Sequence, residues 1–265
     1  MTVIRCTVLG CGSSGGVPRL GNVWGACCPN NPRNRRRRCS LLVEQAGSGG
    51  TTAALVDISP DIREQLLAVG VGAVDGVAVT HAHADHVNGI DDLRVLAMNS
   101  KRPVPLWTDP ETGQILLRRF GYAISAVEST THPPFLDMRT MTGPVTISGA
   151  GGAIELIPFP VHHGAIMSLG FRIGNLAYIP DVSEIPDHVW PLLADLDCWI
   201  VDALQPEPHK AHAHLEKALA WIARAGPRQA YLTNMGTRMD YEEVARITPK
   251  TVMPAHDGLV IGEQG

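Results

Sequence analysis

Along the chain, hydrophobic positions switch repeatedly between a period of two and a period near three and a half, so strands and helices alternate over its whole length. Alternating β-branched residues predict a first strand over 3–9, followed by a glycine-rich loop over 10–16 and a long structured loop over 17–38. Apolar runs at 39–45 and 53–58, parted by Gly47-Ser48-Gly49-Gly50, predict a hairpin. Ser59 and Pro60 then mark a helix start, as N-cap and first helical residue, and that helix runs to Val69 before Gly70. A short buried strand comes next over 76–80, then a helix over 87–99 and a strand over 104–108. The mixed, Gly/Pro-rich passage 109–153 holds a helix near 111–120. Later strands are predicted at 154–161, 168–174, 176–180, 198–202 and 229–233, with shorter ones near 251–253 and 259–261. Helices are predicted at 215–225 and 241–247. No repeat, low-complexity tract or linker interrupts this order. It describes one α/β domain over 1–265 with two strand-rich halves.

Composition narrows the picture. A length of 265 residues suits one large domain, and with aromatics at only 5% its core must rest on Val, Leu, Ile and Ala. A net charge of −4 argues against a protein that coats nucleic acid, so nucleic acid is not an expected partner. The local exception is the run Arg35-Arg36-Arg37-Arg38. Six irregularly spaced cysteines, with Cys27 and Cys28 adjacent, do not make a disulfide scaffold and point to a reducing compartment. The N-terminus lacks a basic segment leading into an apolar one, and no apolar run approaches the roughly 18 residues that span a bilayer. A cytoplasmic location with no membrane partner is therefore expected.

The chemistry concentrates just after the strand at 76–80. His81-x-His83-x-Asp85-His86 places four metal-type ligands within six residues. Imidazole and carboxylate suit zinc-like ions. Residues two apart on an extended segment face the same way, so His81 and His83 can share one ion, and Asp85 and His86 beyond the bend can serve a second. The plainer alternative is a polar surface loop with coincidental histidines.

Thr80-His81-Ala82-His83-Ala84-Asp85-His86 resembles the signature of the metallo-β-lactamase superfamily. Pro160-Val161-His162-His163-Gly164 and Tyr178-Ile179-Pro180-Asp181 resemble, in order, the segments that carry its next histidine and its bridging aspartate. The resemblance implies a four-layer αββα sandwich and two divalent ions, zinc or manganese, with iron or nickel also accepted. It implies that His81, His83 and His163 hold one ion, that Asp85 and His86 hold the other, and that Asp181 bridges them. His163 is chosen over His162 because it precedes Gly164 and keeps the spacing to Leu169-Gly170-Phe171.

Further segments resemble the phosphoribosyl cyclic phosphate phosphodiesterase branch of that superfamily. They are Gly10 to Pro18, Arg37-Arg38-Cys39-Ser40, His212-Ala213-His214-Leu215 and Asp257-Gly258. This implies a phosphodiesterase acting on a small cyclic phosphate or nucleotide-like diester through a metal-bound hydroxide. Asp85 would orient the attacking water and His212 would assist catalysis and bind substrate. Arg37 and Arg38 would grip phosphate, although a solvated arginine face is equally consistent with that run. The resemblance also allows a homodimer.

Two departures stand out. Asn234 occupies the place of a histidine that completes the second ion's ligands in relatives, so that site is expected to be weaker or water-completed, with His256 as a candidate to compensate. Asn22, Trp24 and Thr237 replace three ligands of a structural zinc, leaving Cys27, so no structural zinc is expected and Trp24 is the candidate to fill its space. Competing readings remain. One is a lactonase, thioesterase or nuclease on the same fold, with an RNA-processing enzyme disfavoured because no Lys/Arg-rich arm is present. Another is a degenerate metal- or nucleotide-binding member without turnover. Ile58 to Arg63 also resembles a pyrroloquinoline quinone biosynthesis protein family.

Overall fold

A computed structural model describes residues 4–125 and 133–262. Val3, at the head of the first predicted strand, and 126–132, inside the mixed passage, lie outside the described residues. The chain forms two compact units. One comprises 1–9, 40–156 and 260–265, and the other 10–39 and 157–259.

In chain order the first unit carries β1 (Ile4–Gly10), β2 (Ser40–Gly47), β3 (Gly50–Val56), α1 (Ile62–Val69), β4 (Gly76–Ala78), α2 (Ala84–Val87) and α3 (Leu93–Ser100). It continues with β5 (Val104–Thr108), α4 (Pro110–Ile124), β6 (Leu136–Thr140) and β7 (Val145–Gly149). Strand β8 (Gly152–His163) contains the boundary between the units. The second unit adds β9 (Ile166–Ile173), β10 (Leu176–Ile179), β11 (Cys198–Asp202), α5 (Leu215–Ala225), β12 (Gln229–Thr233), α6 (Tyr241–Ile247) and β13 (Val252–Pro254), and β14 (Leu259–Ile261) closes the chain. Among the described residues these strands form two seven-stranded sheets, ordered β14-β1-β2-β3-β4-β5-β6 and β13-β12-β11-β10-β9-β8-β7. This mixed α/β architecture with two sheets is the expected fold class.

In the first unit β2 and β3 form the predicted hairpin, with Gly47 opposite Gly50. Strands β3, β4, β5 and β6 then run parallel. Leu55, Val77 and Leu106 from the strands meet Ile62, Leu66, Leu93, Leu96 and Leu116 from the helices in one apolar cluster. Amphipathic helices covering a largely apolar sheet are what the sequence periodicity demands.

Three corrections concern this unit. The helix expected from Ser59 and Pro60 starts at Ile62, with Asp61 as its N-cap. Ser59 Oγ accepts the Asp61 N–H at 3.1 Å and donates to Gln65 Oε1 at 2.9 Å, so it braces the approach to the helix instead of capping it. The helix expected over 87–99 is broken: α2 ends at Val87, a 3-10 turn covers Ile90–Asp92, and α3 begins at Leu93. The cause is close approach of the 58–59 segment. Ile58 O takes the Gly89 N–H, His86 O takes the Ile58 N–H, and a Cβ on Gly89 would lie 2.1 Å from Ser59 O. Asp85 and His86 are thereby isolated on one short helical turn. Strands β6 and β7 went unpredicted because each alternates over only five residues, too short a run to stand out within the Gly/Pro-rich passage.

In the second unit β10, β11, β12 and β13 run parallel, with β8 and β9 antiparallel beside them. Every residue of β10 and β11 is buried, which explains their unbroken apolar sequences. The long early loop belongs to this unit. Gly12 makes parallel bridges to Arg38 and to Met235, and a Cβ there would meet Arg36 Cβ and Arg36 O at 2.9 Å. Arg36 is buried; its Nη1 lies 3.5 Å from Gly236 O and 3.9 Å from Cys27 Sγ, and its Nη2 donates to Asn34 Oδ1 at 3.2 Å. The residue packed against Cys27 is therefore Arg36 and not Trp24, which stays half-buried and donates Nε1–H to Asn22 Oδ1 at 3.1 Å. Trp24 lacks the hydrogen-bonding fork that Gly236 and Asn34 call for, and Arg36 has it.

Gly89→Ala forces Cβ against Ser59 O and is expected to lower stability by about 1–3 kcal/mol, read as a drop in the urea unfolding midpoint. Gly143→Ala, with nothing within 4 Å of its Cβ, serves as the matched control.

Candidate metal centre

In the first unit, β4 delivers the chain into the 81–86 segment, and Arg119 on α4 braces that segment by donating to Ala82 O at 2.7 Å. Beneath it lies Asp57, fully buried, directly after β3 and in a left-handed conformation with φ 66°. Its carboxylate accepts the Thr80 N–H at 2.8 Å and the Thr80 O–H at 2.9 Å, and it takes the Nδ1–H of His86 at 2.7 Å. Because the Thr80 hydroxyl spends its proton on Asp57, it accepts from His81 Nδ1 at 2.9 Å. One buried carboxylate thus sets the tautomer of two histidines. Both Nδ1 atoms then carry protons, so Nε2 is the atom each ring can offer a Lewis acid. Burial raises the Asp57 carboxyl, and the charge and hydrogen bond of His86 pull it back.

His83 is exposed, and its ring centroid lies 4.5 Å from that of His81, with donor atoms of the two within 4.8 Å. His86 Nε2 lies 3.5 Å from Asp85 Oδ2, so those two atoms converge as well. The segment therefore offers two pairs: His81 with His83, and Asp85 with His86.

In the second unit the candidates sit at strand C-termini, where open parallel sheets place their ligands. His163 ends β8, Asp181 comes after β10, Asp202 ends β11, and Asn234 comes after β12. His163 Nδ1 donates to Ala211 O at 2.6 Å, which leaves Nε2 facing Asp181 Oδ2 at 3.4 Å. His162, its neighbour, is exposed, and its backbone pairs with Glu184. Asn234 adopts φ 58° and donates from Nδ2 to Asp181 Oδ1 at 3.1 Å, so its amide oxygen is the atom it has left for a metal. His212 Nδ1 lies 2.9 Å from Asp202 Oδ2. His256 lies with its ring centroid 6.1 Å from that of Tyr241, and its Nδ1 is 3.1 Å from Asp257 O. His214 occupies the N-cap position of α5 without a side-chain capping bond.

Arg37 and Arg38 are half-buried beside the glycine loop. Asp257 accepts the backbone N–H of Arg37 at 2.8 Å and of Cys11 at 3.3 Å, and lies 3.9 Å from Arg37 Nε. Arg38 Nη1 would lie 3.7 Å from a Cβ on Gly16. The four-arginine run is thus not one face: Arg35 reaches toward Trp24, Arg36 is buried, and Arg37 and Arg38 line the loop.

The residues that sequence reasoning missed are Asp57 and Asp202. Each ends a buried apolar run, Ala-Ala-Leu-Val before Asp57 and Cys-Trp-Ile-Val before Asp202. A carboxylate closing such a run is costly to bury without a partner. That pattern is the signal that could have found them.

The donor set fits zinc-type ions: imidazole nitrogens, carboxylates, and hydrogen bonds to Nδ1 atoms that hold the rings in place. A family model described as a β-lactamase superfamily domain matches residues 52–235. The chain belongs to that superfamily and has its metallo-β-lactamase fold. A solved diphosphatase of the PhnP family shares 32% identity, covers 98% of each chain and superposes with a TM-score of 0.87. Zinc-bound PqqB of Methylobacterium extorquens shares the fold at 20% identity and a TM-score of 0.73, covering 97% of this chain and 99% of its own. Among curated proteins, an octanoyltransferase of Porphyromonas gingivalis is 28% identical over 99% of this chain and 52% of its own length. Ribonuclease Z of Mycolicibacterium gilvum is 30% identical over 54% of this chain and 53% of its own length. The chain matches about half the length of these two curated relatives. No helix among the described residues is long and apolar enough to cross a membrane.

Removing the carboxylate in Asp57→Ala frees both histidine rings to adopt the other tautomer. Zinc affinity is expected to fall about 10–100-fold, measured by competition with a chromogenic chelator. Burial raises the Asp257 carboxyl to about 7, from an ordinary 3.8. Folding therefore takes up a proton between those values, and the associated stability is present below about pH 4 and lost as pH rises through about 7. Asp257→Asn is expected to flatten that slope in urea titrations across this range.

Proposed function

We propose that the chain is a metal-dependent phosphodiesterase acting on a small cyclic phosphate or nucleotide-like diester. The observation that carries this reading is the double use of Asp57, which presents the Nε2 atoms of His81 and His86 together, an arrangement suited to ligation. In this reading His81, His83, His163 and Asp181 hold one divalent ion. Asp85 and His86 hold a second, with Asn234 at the place of its remaining ligand and Asp181 shared between the two. Zinc and manganese both suit such donors, as do iron and nickel. When bound, the ions supply positive charge that polarises a phosphoryl group and acidifies a water.

The protein's own groups do the rest. Asp85 orients the attacking water, and His212 gives a proton to the leaving oxygen. Backbone N–H groups of the Gly12–Gly16 loop, with Arg37 and Arg38, hold the phosphate oxygens. The likeness to a PhnP-family diphosphatase and to ribonuclease Z supports a phosphate ester over a lactone or thioester.

Elemental analysis of the purified protein, followed by hydrolysis of bis(p-nitrophenyl) phosphate with and without added Mn²⁺ or Zn²⁺, tests this. The expected result is about two ions per chain and metal-dependent turnover, with His83→Ala losing on the order of 10²-fold or more. Absence of turnover under every metal would overturn it.

A further inference from the structure

Beside the candidate ligands of the second unit stand two exposed side chains that the proposed chemistry does not use. Strands β8 and β9 meet at the turn Gly164-Ala165, with His163 directly opposite Ile166 and His162 opposite Met167. Residues opposite one another on antiparallel strands share a face, so Ile166 lies on the face of His163 and Met167 on the other. Ile166 is 39% exposed and Met167 45%, so each face of the hairpin leaves one apolar side chain in water. The loop 205–214 packs on the same turn. Its ends are tied by Leu204 N–H to Ala213 O at 3.0 Å and by Leu215 N–H to Gln205 O at 2.9 Å. Ala211 O takes the Nδ1–H of His163 at 2.6 Å, and a Cβ on Gly164 would lie 3.0 Å from Ala211 Cβ. His209, two residues before Ala211, is exposed, and its Nδ1 accepts the Ala211 N–H at 3.3 Å. The neutral His209 ring therefore carries its proton on Nε2. Its centroid lies 5.2 Å from that of His212, which in turn lies 4.6 Å from that of His163. Three imidazoles thus run in succession from a candidate ligand to the surface, and Ile166 stands beside the first of them.

We infer that Ile166 and His209 form an outer subsite that takes a flat heteroaromatic ring carried by the substrate. This deepens the proposed function and rests on it for the phosphate end of the ligand. An exposed isoleucine gains only when apolar surface covers it. An imidazole with its Nδ1 occupied offers a π-face and one donor, Nε2–H, which suits a ring nitrogen or carbonyl oxygen. A bare sugar phosphate has no π-surface to match these groups, and a nucleoside phosphate has one. The backbone fixes the placement of both residues. Strand register sets Ile166 opposite His163, and Ala211, which holds the His163 ring, also holds the His209 ring. The subsite is therefore locked to a candidate ligand, and within the phosphodiesterase reading it selects a base-bearing diester over a cyclic sugar phosphate. Met167 supplies an internal comparison, since it is apolar, more exposed and one position further along, but on the opposite face.

The test is calorimetric titration of the zinc-loaded full chain with adenosine 5′-monophosphate and with ribose 5-phosphate, which is the same molecule without its base. The wild-type protein is expected to bind the nucleotide about 10-fold more tightly. Ile166→Ala and His209→Ala should each cut nucleotide affinity about 3–10-fold and leave ribose 5-phosphate unchanged, whereas Met167→Ala should change neither. NMR of protein labelled on its histidine rings gives a second readout that needs no affinity difference. The His209 ring signal, assigned by its loss in His209→Ala, should shift with the nucleotide and stay in place with ribose 5-phosphate. Equal affinity of the two ligands for wild-type protein overturns the inference without recourse to any variant. Variants that weaken both ligands alike overturn it too, since they mark a structural role, and so does an effect of Met167→Ala equal to that of Ile166→Ala, since it marks apolar surface without regard to face. If neither ligand binds, the inference falls whatever the turnover assays show. If the nucleotide preference and its loss in the variants are found but no diester is hydrolysed under any metal, the ring subsite stands and the phosphodiesterase reading fails.

Discussion

The rest of the candidate centre depends on a buried carboxylate that has no reason to be buried except its partners. Asp57 sits under the 81–86 segment and collects the Thr80 N–H, the Thr80 hydroxyl and the His86 imidazole. Desolvating a carboxylate costs several kcal/mol, and it is tolerated where charge-assisted hydrogen bonds offset the loss. The consequence runs outward. The Thr80 hydroxyl is polarised toward Asp57, so it accepts from His81, and two histidines are fixed in the tautomer that a metal needs. The backbone contributes the same constraint by a different route. Ile58, next to Asp57, bonds both His86 and Gly89, and this breaks the helix at that point and leaves Asp85 and His86 on a single turn.

The second unit repeats the logic at the ends of its strands. Parallel strands buried on both faces release their chain ends at one edge, and there Asp181, Asp202 and Asn234 emerge in succession from β10, β11 and β12. His163 is locked by a backbone carbonyl and His212 by a carboxylate. A carbonyl and a carboxylate each orient the ring they hold by accepting from Nδ1, and the Asp202 carboxyl that holds His212 is itself pushed up by burial to about 7.

Two departures from the family pattern have physical counterparts. Asn234 turns its amide nitrogen to Asp181, so the amide oxygen is the atom it can offer an ion. In the early loop Arg36 stands against Cys27 and Gly236, and Asn34 relays it to Asp240, which in turn accepts the Cys28 N–H. A buried guanidinium with a fork of hydrogen bonds cross-links the two loop segments of that unit.

Much of the secondary structure was legible in the sequence. β5, β11, α5, β12 and α6 match their predicted bounds, because each is a strongly patterned run with clear stop signals. The 81–86 segment stood out as a candidate for a similar reason, since its residue types are rare in combination and lie within a few positions of one another. Tertiary structure decided what depends on residues distant in sequence. The break at Gly89 comes from a neighbouring backbone segment, and the tautomers of His81 and His86 come from Asp57, more than twenty positions earlier. The separate fates of Arg35 to Arg38 come from which of them meets a carbonyl at Gly236 and which meets Asp257. Periodicity and residue type are local properties, and by itself the sequence determined the strands, the helices and the candidate motif that rest on them. The direction of a proton along a hydrogen bond is set by the partner, and only the folded chain decides who that is.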